Sequence, residues 1–299
     1  MKIAHLLHNP TAGDEEHSKN ELKALIEEHG LKCAYFSTKK KGWEEIQPDT
    51  DIIIVAGGDG TVRKVAQELL SRKLIDKKIP IGVLPLGTAN NIAKTLGITG
   101  DSAQIIKSWE DKQVKKFDVG RIEGIPDIEF MLEGLGYGIF PRLIKEMRKA
   151  DKELSDDPEI RIKTALKKLY DIVLTLEPFY CLVETDGVNY YGKFLLVEVM
   201  NTSSIGPNLQ LAANADPGDG SLDVVLIRES QREELAAYIQ NKINDIETPS
   251  VFTSIRATRI TLQTEELLLH VDDELVKLEK SANVQVEIQD GRLEFLIPV

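Results

Sequence analysis

Five consecutive residues, Gly57-Gly58-Asp59-Gly60-Thr61, combine a flexible backbone with one carboxylate and one hydroxyl. They stand between the apolar run Ile52 to Ala56 and a segment of helical periodicity from Arg63. Glycines at a strand-to-helix turn admit positive φ and let the chain approach a ligand closely. The helix behind them offers free N–H groups and the positive end of its dipole to a phosphate. Asp59 repels a bare phosphate, so its use beside one is to work through Mg2+ or to take a proton. A capped glycine-rich turn is the plain alternative. The run is not a Walker loop, since GxxxxGK(S/T) occurs nowhere in the chain.

A second run, Pro85-Leu-Gly-Thr-Ala-Asn-Asn91, follows the apolar Ile81 to Leu84, and Asn9-Pro10-Thr11-Ala12-Gly13 closes the first apolar run of the chain. Turns of this kind at the C-terminal ends of neighbouring parallel strands face one crevice, where open α/β sheets bind ligands. Further along, Asp216, Asp219 and Asp223 alternate with Gly218 and Gly220. They could wrap a hard cation through the Asp219 carboxylate and the carbonyls near Asp216 and Ser221. A self-capped Asp-Gly turn explains the same residues. Asp272-Asp273-Glu274 by itself reads as a charged hairpin turn. Gly134, Gly136 and Gly138 read as a close approach of strand and helix, and Phe140, Leu143, Ile144 and Met147 as the core face of a helix. His5, His8 and His270 lack HxxxH spacing and read as core or surface residues.

These groups need elements to hold them. Up to about Asp118 the chain alternates short β-branched runs with amphipathic segments. Strands are predicted at Ile3 to Leu7, Lys32 to Phe36, Asp51 to Ala56 and Ile81 to Leu84, and helices at Ser18 to His29, Arg63 to Arg72 and Asn91 to Leu96. Asp51 to Ala56 is apolar on both faces and so is expected at the centre of a parallel sheet. The pattern predicts a doubly wound α/β domain over residues 1–118. Residues 119–299 read as a mainly antiparallel β domain, its last strand able to return to the first, with a cleft between the two domains. Its helices are expected at Arg142 to Lys152, Ile160 to Leu174 and Gln231 to Ile243. Its strands are expected at Phe179 to Thr185, Lys193 to Val199, Leu222 to Ile227, Arg259 to Leu262, Leu267 to Val271, Val284 to Ile288 and Leu293 to Ile297. Asp186-Gly187 and Asp290-Gly291 are the predicted hairpin turns.

Composition narrows the function classes. The 299 residues carry 49 acidic against 37 basic side chains, a formal charge of −12. That balance argues against nucleic acid, which needs a basic stripe, and against a membrane site driven by bulk charge. No stretch reaches the ~20 apolar residues of a spanning helix, so any membrane contact is expected to be peripheral. Cys33 and Cys181 give neither a disulfide framework nor a metal spacing, and a reduced, cytoplasmic setting is expected. A homodimer is compatible with all of this.

The NPxxG, GGDGT and PxGTxN segments at Asn9 to Gly13, Gly57 to Thr61 and Pro85 to Asn90 together resemble the diacylglycerol kinase catalytic-domain family, lipid kinases related to sphingosine and ceramide kinases within a wider NAD kinase-like group. Phe117 to Arg121, Ala215 to Val224, Val271 to Glu274 and Phe295 to Pro298 are similar to its later motifs, so the resemblance spans essentially the whole chain. It implies an ATP- and Mg2+-dependent kinase that transfers the γ-phosphoryl group to a hydroxyl of diacylglycerol or a related lipid. Asn9, Thr38, Gly57, Gly58, Gly60, Thr61 and Thr88 would contact the nucleotide, and Asp59 would act through Mg2+. Asp272 would be the general base with Glu274 as its electrostatic neighbour, and Asp216, Asp219 and Ser221 would hold a structural Mg2+. The sequence departs from the family at Arg63-Lys64, where an Asn-Glu pair is usual, at Asn91 in place of Asp, and at Asp273 in place of Gly. Two alternatives stand beside the lipid kinase: a kinase of a soluble hydroxyl compound, as NAD kinases are, and a non-catalytic nucleotide-binding protein.

Overall fold

The computed structural model describes residues 2–12, 18–72, 78–111, 113–150, 155 and 157–298. Gly13 of the first motif and Lys152 at the end of one expected helix lie outside them. The chain divides into two compact units. The first is Met1–Phe117, Asp156–Pro158 and Gly291–Val299, and the second is Asp118–Ser155 and Glu159–Asp290.

In the first unit, β1 (Lys2–His8), α1 (Lys19–Glu28), β2 (Leu31–Ser37), β3 (Ile52–Gly57), α2 (Asp59–Ser71), β4 (Ile81–Pro85), α3 (Asn91–Thr95) and α4 (Ser102–Ser108) follow in order. The strands run parallel in the order β2, β1, β3, β4. All six residues of β3 are buried, as expected of a central strand. Ser18 and Glu21 close a capping box on α1, and Asp101 and Gln104 do the same on α4, a helix its short apolar pattern does not announce. The helix expected from Arg63 begins four residues earlier, at Asp59. Gly58 is its extended N-cap, and an acid in the first turn suits the helix dipole.

His5 on β1 is fully buried and stacked on Phe36, ring centroids 4.1 Å apart. Burial lowers its pKa below the ordinary histidine value. The unfolded chain therefore binds a proton that the folded chain resists. Stability present above about pH 6.5 is lost as pH falls toward the folded value. His5→Phe is expected to flatten the acid limb of stability against pH, read by urea unfolding between pH 5 and 7.5.

The second unit contains β5 (Val114–Glu123), which enters it from the first, then β6 (Phe130–Met131), β7 (Gly134–Gly138), α5 (Ile139–Ala150), α6 (Pro158–Thr175), β8 (Phe179–Thr185) and β9 (Val188–Met200). There follow β10 (Leu222–Arg228), α7 (Arg232–Ile243), β11 (Ser254–Ala257), β12 (Arg259–Thr264), β13 (Leu268–Val271), β14 (Glu274–Lys277) and β15 (Asn283–Leu296). The pairing is antiparallel, in the order β14, β13, β7, β9, β8, β12, β15. Alternate residues of β10 serve two cores. Leu222 and Val224 pack with Val183, Val197, Ile260 and Val286, while Val225 and Ile227 pack with Leu169 of α6 and Leu235 and Ile239 of α7. A strand covered on both faces reads as a continuous apolar run for this reason.

Asp186-Gly187, at φ 45° and 89°, makes the expected tight turn between β8 and β9. Asp290-Gly291 does not make a turn. Both residues lie inside β15, whose earlier residues pair antiparallel with β12 and whose Phe295 pairs parallel with Ile81 of β4. The flanking runs have different partners, so Gly291, at φ 55°, bends one strand instead of reversing it. Among the described residues no helix is long and apolar enough to cross a membrane.

Candidate active site

The loops after β3 and β4 meet through glycine. A Cβ on Gly87 would stand 2.3 Å from Gly58 Cα, and one on Gly58 would stand 3.0 Å from Gly87 Cα, so the two backbones touch where no side chain fits. The Leu86 N–H donates to the Gly57 carbonyl (3.1 Å) across the same gap. Asn90, left-handed at φ 53°, folds the second loop around its own amide. Its Oδ1 accepts from Gly87 N–H (3.0 Å), and its Nδ2 donates to the carbonyls of Pro85 (3.0 Å) and Gly87 (2.7 Å). Asn tolerates the left-handed region better than most residues, which accounts for the last letter of the PxGTxN run.

Asp59 ties the loops together. Its carboxylate accepts from the backbone N–H groups of Asn91 (2.9 Å) and Ile92 (3.1 Å), so the first residue of α2 caps the N-terminus of α3. The Asn91 that replaces an acid is itself buried at this junction. Asp59→Asn turns one accepting oxygen into a donor facing an N–H. It is expected to lower stability by about 1–2 kcal/mol, read as a reduced midpoint in urea unfolding.

The other nucleotide candidates divide by what already holds them. Gly57 lies under Thr61, whose Oγ1 would be 2.6 Å from a Cβ placed there. Asn9 Nδ2 donates to that hydroxyl (3.3 Å), while Asn9 Oδ1 accepts from the N–H and hydroxyl of Thr11. Thr38 is buried and gives its hydroxyl to the His8 carbonyl (3.3 Å). Its own carbonyl accepts from Lys64 Nζ (3.5 Å), which also lies over the Trp43 ring. Lys64 thus braces the end of β2. Gly60 is exposed at the start of α2, and Thr88 is half-buried in the second loop.

In the second unit Asp272 occupies the two-residue turn between β13 and β14, at φ 52° and buried. Its Oδ1 accepts from three successive main-chain N–H groups, Leu132 (3.0 Å), Glu133 (2.8 Å) and Gly134 (3.2 Å), and Leu132 N–H also reaches Oδ2 (3.1 Å). Asn201 fixes that stretch from below, donating to the carbonyls of Leu132 (2.9 Å) and Asp118 (3.0 Å). The positive φ of this turn falls on Asp272 and not on Asp273, so an acid in place of glycine at 273 strains nothing. Glu274 is exposed on the following strand.

Asp216, Asp219 and Ser221 make local turn contacts. Asp216 accepts from Gly218 N–H (3.0 Å) and Asp219 from Ser221 N–H (3.0 Å), each capping its own turn. Arg256 forms an ion pair with Asp219 Oδ2 and donates to Ser221 Oγ (3.1 Å), so a guanidinium stands beside one of the carboxylates expected to hold Mg2+. Gly220 N–H goes to the buried Asp118 carboxylate (2.8 Å), and Asp223 accepts from Ser254. Among the described residues no three His, Cys, Asp or Glu side chains gather as a metal set.

Gly134 and Gly136 make room for a carboxyl group instead of a helix. Glu198, fully buried on β9, lies where their side chains would be, and it bonds to the buried His270 of β13. Sequence reasoning missed this pair. Its signal is one acid inside the apolar run Phe194 to Met200 and one histidine inside Leu267 to Val271.

Comparison with known proteins agrees with this architecture. Residues 3–122 match the diacylglycerol kinase catalytic domain, and residues 161–296 match the YegS C-terminal NAD kinase beta sandwich-like domain. The chain thus carries a diacylglycerol kinase catalytic domain followed by a YegS-type C-terminal domain. It is 27% identical over 296 residues to a protein of Bacillus subtilis (strain 168) named "Diacylglycerol kinase", covering 92% of this chain and 90% of that one. It is 24% identical over 274 residues to a "Probable lipid kinase YegS-like" of Klebsiella pneumoniae (strain 342), covering 88% and 86%. A crystal structure of a diacylglycerol kinase from Bacillus anthracis str. Sterne shares the fold with a TM-score of 0.73, at 22% identity over 99% of this chain and 96% of that one.

Proposed function

We propose that the protein is an ATP-dependent lipid kinase that phosphorylates a hydroxyl of diacylglycerol or a related lipid. The observation that carries this reading is the joint made by Gly58, Gly87 and Asp59, which sets two strand-to-helix loops side by side with Gly60 of the first exposed. Such a surface suits a triphosphate, which is bound through N–H groups and close backbone approach. Gly60 and the Thr88 hydroxyl are the groups offered to it, with Asn9 and Thr61 supporting the loop and Thr38 closing the neighbouring strand end. Asp59 fits a Mg2+ carried by the phosphates, because such an ion needs one or two carboxylates from the protein. When bound, Mg2+ would neutralise charge on the triphosphate.

On the acceptor side Asp272 would take the hydroxyl proton while backbone N–H groups of residues 132–134 hold its carboxylate in place. A base so held loses little freedom when the substrate arrives. Glu274, exposed beside it, would repel a second anion and keep the acceptor neutral until attack. The family and the relatives' names support a lipid as acceptor.

A second reading, nucleotide binding without catalysis, is favoured by one observation: both carboxylates assigned to chemistry are held by main-chain N–H groups. Incubation with γ-labelled ATP, Mg2+ and separate panels of lipid and soluble alcohols distinguishes the readings. Label in a lipid is the expected result. Label only in a soluble acceptor overturns the lipid assignment, and ATP binding without transfer supports the second reading.

A further inference from the structure

His270, Gly136 and Glu198 lie in one lateral row of the sheet. His270 of β13 is opposite Gly136 of β7, and Gly136 is opposite Glu198 of β9. The middle position has no side chain, and none would fit, since a Cβ on Gly136 would stand 2.0 Å from Glu198 Oε2. Through this opening Glu198 reaches across a whole strand, and its Oε2 meets His270 Nε2 at 3.0 Å. The other ring nitrogen, Nδ1, meets the Asp272 main-chain oxygen at 2.8 Å. A carbonyl only accepts, so Nδ1 carries a hydrogen.

We infer that Glu198 and His270 form a positioning pair for Asp272, with Gly136 as the opening that lets them meet. The imidazole holds the carbonyl of a residue whose N–H is bound to the Gly134 carbonyl (2.7 Å) and whose carboxylate is bound to residues 132–134. Three tethers fix the left-handed backbone that aims the carboxyl group. With Nδ1–H committed, one further proton is shared between Nε2 and Oε2. Imidazolium with carboxylate, or imidazole with carboxylic acid, both keep Nδ1–H on Asp272, so the hold survives wherever that proton sits. Burial opposes the imidazolium, yet the charge of Glu198 and the hydrogen bonds to Glu198 and Asp272 outweigh it and raise the His270 pKa. Burial also raises that of Glu198, against the pull of His270. Asp272 is the further charge that acts on both, and α5 contributes the edge of the Phe140 ring, 5.8 Å from the imidazole. The catalytic meaning of the pair rests on the proposal that Asp272 is the base; the tether itself does not.

Two measurements on the full chain test it. In nitrogen-15 NMR of the unsubstituted protein, His270 Nδ1 is expected to stay protonated from pH 5.5 to 8.5. A ring protonated only at Nε2 anywhere in that range overturns the inference. In hydrogen exchange, His270→Phe is expected to speed the amides of Leu132, Glu133 and Gly134 at least ten-fold while Val284 and Val286 keep their protection. Glu198→Gln, whose amide can donate to Nε2, is expected to leave them slow. Unchanged exchange at 132–134 in His270→Phe also overturns it. Kinase assays of the same variants then read the catalytic consequence, expected as a ten- to hundred-fold lower kcat with the KM for ATP unchanged in His270→Phe. Should Asp272→Asn keep full activity, the base assignment fails while the NMR and exchange results still decide the tether.

Discussion

Asp272→Asn is expected to lower kcat for lipid phosphorylation by about 10²–10⁴-fold while leaving ATP affinity and the fold close to those of the unsubstituted protein. The substitution is clean for reasons visible in the turn. Position 272 has φ 52°, which Asn adopts readily, whereas Ala there adds backbone strain to whatever chemistry is lost. An amide oxygen in place of Oδ1 keeps the three N–H bonds from residues 132–134. The amide nitrogen falls at Oδ2 and gives up the contact with Leu132, a loss of about 1–2 kcal/mol. What disappears is the basic lone pair. Steady-state kinetics with thermal unfolding alongside checks this, and a variant with normal kcat would show that the proton leaves by another route.

Gly87→Ala should damage the molecule from the opposite side. The added methyl has Gly58 Cα at 2.3 Å and Asn90 Oδ1 at 2.8 Å, and neither is the free end of a flexible chain. One loop must retreat, which breaks the Asn90 bonds to Pro85 and Gly87 and moves the N-terminus of α3 away from Asp59. Overpacking of this kind costs about 1–3 kcal/mol. ATP affinity is expected to fall at least ten-fold, because the surface proposed to bind the phosphates is the one displaced. Isothermal titration with Mg·ATP and calorimetric unfolding measure the two effects. Gly30→Ala is the control: unlike Gly87 it is at positive φ, 76°, but its Cβ meets nothing within 4 Å, so it reports an added methyl with backbone strain and no collision. Equal ATP affinity in Gly87→Ala and the unsubstituted protein would remove the joint from the nucleotide site.

The parts of the site that were legible in the sequence are those whose chemistry is local. Gly57 to Thr61 and Pro85 to Asn90 announce themselves because a tight strand-to-helix turn demands glycine and asparagine at fixed offsets. The α/β alternation follows from periodicity, and so do the buried runs of β3 and β10. What escaped depends on partners distant in the chain. Glu198 and His270 are 72 positions apart, and each alone looks like an oddity in an apolar strand. Arg256 neutralises Asp219 from 37 positions away, which no spacing within residues 216–221 can reveal. Asp290-Gly291 carries the letters of a hairpin, but a hairpin also needs flanking runs that pair with each other, and these pair with β12 and β4.

The continuous path of β15 bears on how the chain can be divided. Phe295, fully buried, lies beside Ile81 and packs on Phe117 with ring centroids 4.9 Å apart, and Ile297 N–H bonds to the Gln113 carbonyl. The first unit is therefore sealed by residues that follow the second unit in sequence. A polypeptide released after Phe117 would leave β4 as a bare sheet edge with its hydrogen-bonding groups unpaired, a template for aggregation. The first unit expressed alone should include Gly291–Val299 joined by a linker, or be circularly permuted so that this segment leads.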